Sequence, residues 1–174
     1  MKIFVLLLML FGSAFAATIF EFSPKETTWY LRNDSVMGGI SKSQIAFRGG
    51  ILEFTGRVRL ENGGGFSGIR SVAGRYDLSQ FSSVMLRVRG DGKRYGLQLG
   101  TNANSRITYR MQFNTVAGKW IEIRLPFAAF RAMRSGEFIK AVPLDTSRIA
   151  FFGLTFGNGK AERFKLELDW IKGR

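Results

Sequence analysis

Ser83-Val84-Met85-Leu86-Arg87-Val88-Arg89-Gly90-Asp91-Gly92-Lys93-Arg94-Tyr95-Gly96-Leu97-Gln98-Leu99-Gly100 decides the fold class of this chain. Val84, Leu86 and Val88 alternate with Met85, Arg87 and Arg89. Beyond the turn at Gly90-Asp91-Gly92, Tyr95, Leu97 and Leu99 alternate with Gly96, Gln98 and Gly100. Successive side chains of a strand leave on opposite faces, so a period of two marks a strand with one face on a core. The same period continues outward. Ile107, Tyr109, Met111 and Phe113 alternate with Thr108, Arg110 and Gln112, and Ile121, Ile123 and Leu125 with Trp120, Glu122 and Arg124. Phe164, Leu166, Leu168 and Trp170 alternate with Lys165, Glu167, Asp169 and Ile171. Further strands are expected at Ser43–Phe47, Ile51–Phe54, Gly56–Leu60 and Ile149–Phe156. Glycine-rich reversals separate them, at Arg48-Gly49-Gly50, Glu61-Asn62-Gly63-Gly64-Gly65, Ala117-Gly118 and Gly157-Asn158-Gly159. One short helical turn is expected around Phe127–Met133. Many short strands without intervening amphipathic helices predict an all-β, antiparallel sandwich or barrel.

The N-terminus reads differently. Met1-Lys2 precedes an apolar run from Ile3 to Phe11, then Gly12-Ser13 and the small-residue site Ala14-Phe15-Ala16. This is the layout of a signal peptide spanning residues 1–16, cleaved after Ala16, and it predicts an exported chain, periplasmic or secreted. The run is shorter than the roughly 20 residues of a membrane span, so an integral membrane protein is not expected. Residues 17–174 are then one sandwich domain. Cysteine is absent, and stability must come from packing, for which 45% hydrophobic residues and 17 Phe supply the material. The formal charge is +13 at pH 7. Such a surplus attracts anionic partners, although the charges are scattered rather than clustered in runs.

With no His and no Cys, the chain lacks the commonest general base, the usual transition-metal ligands and the thiol nucleophile. No glycine-rich segment carries the lysine and hydroxyl of a phosphate loop. Asp34, Asp91 and Asp169 are the best-placed carboxylates; Asp34 reads as a turn cap and Asp91 as a turn residue. They leave room for a structural calcium, but no cofactor, no metal site and no catalytic residue is expected. Nucleic acid is not an expected partner, because interleaved basic and aromatic motifs are missing.

Binding is the remaining class. Arg57, Arg59, Arg87, Arg89, Gln98, Arg110 and Gln112 occupy outward positions. If their strands are neighbours, they make one polar, basic face of guanidinium and amide donors; otherwise they only solubilise the sheets. Arg70, leaving the Gly63-Gly64-Gly65 loop, is either a binding residue or a structural arginine paired with Asp34 or Asp91. Trp29, Tyr30 and Tyr109 are expected as exposed rings, whereas Trp120 and Trp170 read as core anchors. The ligand-binding candidates are Asn33, Asp34, Arg70, Arg89, Gln98 and Arg110.

Several blocks resemble one family. Asn33-Asp34-Ser35-Val36-Met37-Gly38-Gly39-x-Ser41 is similar to the opening signature of the complex I intermediate-associated (thirty-kilodalton) protein family. Glu61-Asn62-Gly63-Gly64-Gly65-Phe66, Asp77-Leu78-Ser79, Leu86–Gly92, Leu125-Pro126-Phe127 and Leu168-Asp169-Trp170-Ile171 follow in matching order. The resemblance implies a galactose-binding-like jelly-roll β-sandwich and a non-enzymatic assembly factor. Its partner would be a protein or an intermediate of a membrane complex, here in the cell envelope. A carbohydrate- or anionic-glycan-binding module is the alternative.

Overall fold

The computed structural model describes residues 16–22, 29–140 and 143–174. The expected leader therefore lies outside the described residues apart from Ala16. Among the described residues there are thirteen strands: β1 (Ala17–Glu21), β2 (Trp29–Leu31), β3 (Lys42–Arg48), β4 (Ile51–Arg57), β5 (Ser67–Ser71), β6 (Ser83–Gly90) and β7 (Arg94–Gly100), then β8 (Ile107–Asn114), β9 (Trp120–Pro126), β10 (Arg131–Arg134), β11 (Glu137–Phe138), β12 (Phe151–Phe156) and β13 (Arg163–Gly173).

The strands form two antiparallel sheets. The first has the order β3-β4-β13-β6-β9, with β1 continuing the β4 side of the long strand β13; the second runs β11-β10-β8-β7-β12-β5-β2. Chain neighbours often lie in different sheets, as in a jelly-roll sandwich. Thus β6 belongs to the first sheet and β7 to the second, and Gly90-Asp91-Gly92 is the crossing between them. The β3–β4 connection is a true hairpin. Arg48 pairs with Ile51, and the two intervening glycines have φ of 58° and 79°, the doubly positive geometry of the tight hairpin turn.

The core is the layer between the sheets. Leu52, Phe54, Val84, Leu86, Val88, Leu166 and Leu168 from the first sheet meet Ile69, Leu97, Leu99, Phe152, Leu154 and Phe156 from the second, all essentially buried. Aromatic clusters fill both ends. Phe20, Trp29, Tyr76 and Phe152 pack edge-to-face or tilted at one end; at the other, Tyr95 tilts against Phe156, which stacks on Phe164. A fully buried side chain of this size contributes about 1.5–3 kcal/mol, which is how a chain without cysteine holds together.

Some expectations are corrected. The expected helix at Phe127–Met133 is one 3-10 turn, Phe127–Ala129, followed by strand β10. Phe130 and Phe127 turn into the core there, and Met133 pairs with Thr108 as a ladder residue. Gly56–Leu60 is not a separate strand: β4 runs unbroken to Arg57 and the chain then leaves the sheet. No helix of the described residues is long and apolar enough to cross a membrane.

Candidate functional site

Two places on the sandwich stand out. The first is built around Asp34. This carboxylate is fully buried, a costly position unless donors surround it. Four do: Ser41 N at 3.0 Å, Ser41 Oγ at 2.5 Å, Gly65 N at 2.8 Å and Phe66 N at 3.3 Å. Burial pushes its pKa up, but the donors outweigh burial and hold it below the ordinary carboxylate value. Neighbouring glycines make the room. A Cβ on Gly39 would lie 2.4 Å from Asp34 Cγ, and one on Gly64 2.7 Å from Asp34 Oδ2. Asn33 does similar work beside it, its side-chain oxygen accepting from Ser43 Oγ and Ser67 Oγ at 2.7 and 2.6 Å. Both residues expected to bind a ligand are thus engaged with the protein itself.

What Asp34 secures is a projecting apolar tip. It begins the 3-10 turn Asp34–Met37, closed by Gly38 at φ 89°, and it ties that turn to the loop around residues 59–66. Val36 and Met37 are 69% and 63% exposed, and Leu31, Ile40 and Leu60 are exposed nearby in the chain or on the tied loop. Two apolar residues inside an Asn-Asp-Ser…Gly-Gly loop were the signal for this tip.

The second place is the outer face of the second sheet. Tyr30, Arg70, Gly153, Gln98, Arg110 and Arg131 pair in succession across six strands and form one transverse row. Three of the candidate residues, Arg70, Gln98 and Arg110, are therefore brought together. Arg131 was missed because its segment read as helix. Arg89 is not among them. It lies on the first sheet with Arg87, where Arg89 binds Glu167 and Arg87 binds Asp169; the Arg89 hydrogen bond helps hold the Glu167 carboxyl below its usual range. The condition for a single basic face of Arg57, Arg59, Arg87, Arg89, Gln98, Arg110 and Gln112, that their strands be neighbours, is thus not met, because β6 and β7 part company at Gly90-Asp91-Gly92. Arg59 lies beyond β4 and pairs with Glu61.

Arg70 pairs with neither Asp34 nor Asp91: it stacks on Phe151, 3.3 Å from the ring centre, and donates from Nη2 to Ala103 O at 2.8 Å. Asp91 clasps the sheet crossing, accepting from Lys93 Nζ, Tyr95 Oη and Lys165 N at 2.8, 2.9 and 3.1 Å. Among the described residues no three acidic side chains converge to hold a metal ion.

The aromatic expectations largely reverse. Trp29 and Tyr109 are buried, and only Tyr30 of the three is exposed. Trp120 and Trp170 are half-buried on the outside of the first sheet, the former beneath Arg87 and Arg89 and the latter beneath Lys172.

A family model described as complex I intermediate-associated protein 30 matches residues 19–168. The mitochondrial complex I intermediate-associated protein 30 of Mus musculus is 32% identical over 104 residues, covering 55% of this chain. The match spans 31% of that relative's length. Among solved structures, a family 11 carbohydrate-binding module from Clostridium thermocellum, in complex with a β-1,3-1,4-mixed-linked tetrasaccharide, superposes with a TM-score of 0.68 at 16% identity, over 91% of this chain and 94% of that one. An agarase superposes with a TM-score of 0.62 at 12% identity, over 91% of this chain and 24% of the enzyme. These two share the fold. The mouse relative also corrects one expectation: it is a mitochondrial protein, which overturns the reading of an exported, periplasmic or secreted chain.

Proposed function

The chain belongs to the complex I intermediate-associated protein 30 family, and from that membership we propose that it is a non-catalytic interaction module whose partner is a protein within an assembling membrane complex. One observation carries the reading. Val36 and Met37 are held in solvent by a buried, four-donor carboxylate. A domain does not need that arrangement for its own core, and exposed apolar groups at a rigid tip mark protein contacts. The tip lies within the segment that resembles the family's signature. The mouse relative supports the kind of partner by its name alone.

The test is site-specific photo-crosslinking from position 37 in a native membrane extract. Subunits of one membrane-complex intermediate should be the main adducts, and V36D/M37D should abolish their co-purification while leaving the protein folded. Adducts that are scattered, or co-purification that persists in V36D/M37D, would sink the reading.

A carbohydrate module is the second reading, favoured by Gln98 and Gln112 standing beside Arg110 on the outer face of the second sheet. Sugar sites stack a ring against the sugar's apolar face, and here Phe151 and Phe138 are each covered by an arginine. A glycan array that includes mixed-linked glucans and acidic polysaccharides separates the two readings; specific hits on neutral sugars would favour this one.

A further inference from the structure

The outer row of the second sheet is charged in one sign only. In the seven strands of that sheet the basic residues are Arg70, Arg94, Arg110, Arg131 and Arg134, and the sole acidic residue is Glu137 on the edge strand β11, opposite Arg134. The first sheet carries Glu21, Glu53, Glu122, Glu167 and Asp169, and its central arginines are paired. Arg110 and Arg131 face each other directly across a strand pair, an arrangement that is destabilising between like charges.

These arginines do not simply reach into water. Arg110 lies over Gly96: a Cβ there would be 2.6 Å from Arg110 Nε and 2.7 Å from Thr155 Oγ1. Arg70 lies on Phe151, and Arg131 on Phe138 at 4.0 Å from the ring centre. The Nε groups of Arg70 and Arg110 are buried and have no hydrogen-bond partner among the described residues. Burial lowers the pKa of both guanidinium groups, the direction expected of cations with too little compensation. Buried donors are ordinarily satisfied, and a guanidinium fork is satisfied best by a carboxylate.

We propose that this row is a docking site for an extended, acidic polypeptide segment whose carboxylates neutralise the guanidinium charges of Arg70 and Arg110. Spacing selects the ligand. Arg70 and Arg110 are three strand intervals apart, roughly 14 Å at the backbone, too far for one carboxylate to serve both. In an extended peptide the side chains of residues i and i+4 leave the same face about 13 Å apart. A segment crossing the sheet with Glu or Asp at i and i+4 therefore meets both arginines, and a third acid at i+6 reaches Arg131. Neutral sugars cannot compensate these charges, and the ring at the centre of the row, Phe151, is already covered by Arg70. The site is separate from the apolar tip at Val36 and Met37 and does not depend on the role proposed for it.

The test uses the full chain and a fluorescent peptide of alternating Thr and Gln with Glu at positions i, i+4 and i+6, followed by anisotropy. Binding that falls at least tenfold when those Glu are replaced by Gln, and at least tenfold in R70Q/R110Q, is the expected result. The charge-matched control K42Q/R163Q, on the first sheet, should stay within twofold, and V36D/M37D should bind as the parent does. Wild-type protein supplies a readout free of folding effects: the peptide should shift the side-chain Nε–H resonances of Arg70 and Arg110 and leave those of Arg87 and Arg89 in place. Equal losses in K42Q/R163Q would overturn the proposal in favour of bulk charge. Polygalacturonate, or inorganic phosphate, displacing the peptide at lower concentration than free peptide does would overturn it in favour of a glycan or phosphate site.

Discussion

Asp34 carries its charge into the interior, forms no ion pair among the described residues, and is kept there by four donors. Hydrogen bonds to a charged group contribute about 1.5–3 kcal/mol each, and a buried group left unpaired costs more than it contributed when paired. Asp34→Ala strands the amides of Ser41, Gly65 and Phe66 and should cost about 3–5 kcal/mol, a fall of about 10 °C or more in melting temperature for a chain of this length. Calorimetry checks it; a loss below about 1 kcal/mol would show that water replaces the carboxylate without penalty. Asp34→Asn separates charge from shape. Since the folded pKa lies below the ordinary value, the charge contributes stability above the unfolded pKa of about 3.9 and loses it as pH falls through the folded pKa. The gap in melting temperature between the parent and Asp34→Asn should hold above about pH 5 and narrow below pH 4. Only half of this site was legible in the sequence. Asn-Asp ahead of Gly-Gly announces a local turn, and the bond to Ser41 N lies seven residues on. The bonds to Gly65 and Phe66 span more than thirty residues, a distance that no spacing rule reaches.

At the scale of elements, a single register shift explains the largest misreading. Alternation from Phe164 predicts that Trp170 faces the core and Ile171 the solvent. In β13, Leu168 pairs with Val88 but Trp170 with Arg87, so Asp169 is an extra residue and the phase inverts beyond it. Ile171 is fully buried and Trp170 half-buried, with Lys172 over its ring at 4.4 Å. A bulge of this kind adds one residue to one strand, and nothing in Leu168-Asp169-Trp170 marks it. The strands before Asp169 were legible because each faces the core on one side only; Tyr109, grouped by its own period with Met111 and Phe113, is buried as that grouping requires. The bulge makes a sharp prediction. Ile171→Ala should cost about 2–5 kcal/mol as a core truncation, whereas Trp170→Ala should cost about 1 kcal/mol, the worth of an outward ring and its cation contact. Urea unfolding of the two variants decides it, since an uninterrupted strand would reverse their order. The sheet assignment of Arg87 and Arg89 against Gln98 and Arg110 was illegible for a related reason: Gly90-Asp91-Gly92 reads equally as a hairpin or as a crossing, and the difference separates a neutralised face from a bare one.

Across the whole molecule, side-chain titration should be confined to the two ends of the pH scale. The sequence has no histidine, so no side chain of ordinary pKa changes charge between about pH 5 and 8. Among the described residues, the carboxylates that depart from their ordinary values all do so downward. Arg59 lowers Glu61 to about 2, Ser79 lowers Asp77, Ser147 lowers Asp145 and Arg89 lowers Glu167. In Asp34 and Asp91 burial pulls upward, and the surrounding donors outweigh it. Each of these groups stabilises the fold above its unfolded pKa of about 4 and ceases to do so as pH falls through the lower folded value. Tyr95 works at the opposite end. Burial, then the adjacent Asp91, raises its pKa, so its contribution is complete below the unfolded value of about 10 and is lost as pH climbs toward the folded one. The melting temperature should therefore be level from about pH 5 to 9 and fall steeply below pH 4. Protonation there also removes the 13 carboxylates that offset 26 basic residues, so the formal charge climbs from +13 towards +26, and the swelling repulsion steepens the acid limb. Differential scanning calorimetry across pH 2–11 checks the profile at fixed ionic strength. A transition centred near pH 6–7 would contradict it, because the chain holds no side chain of ordinary pKa to produce one.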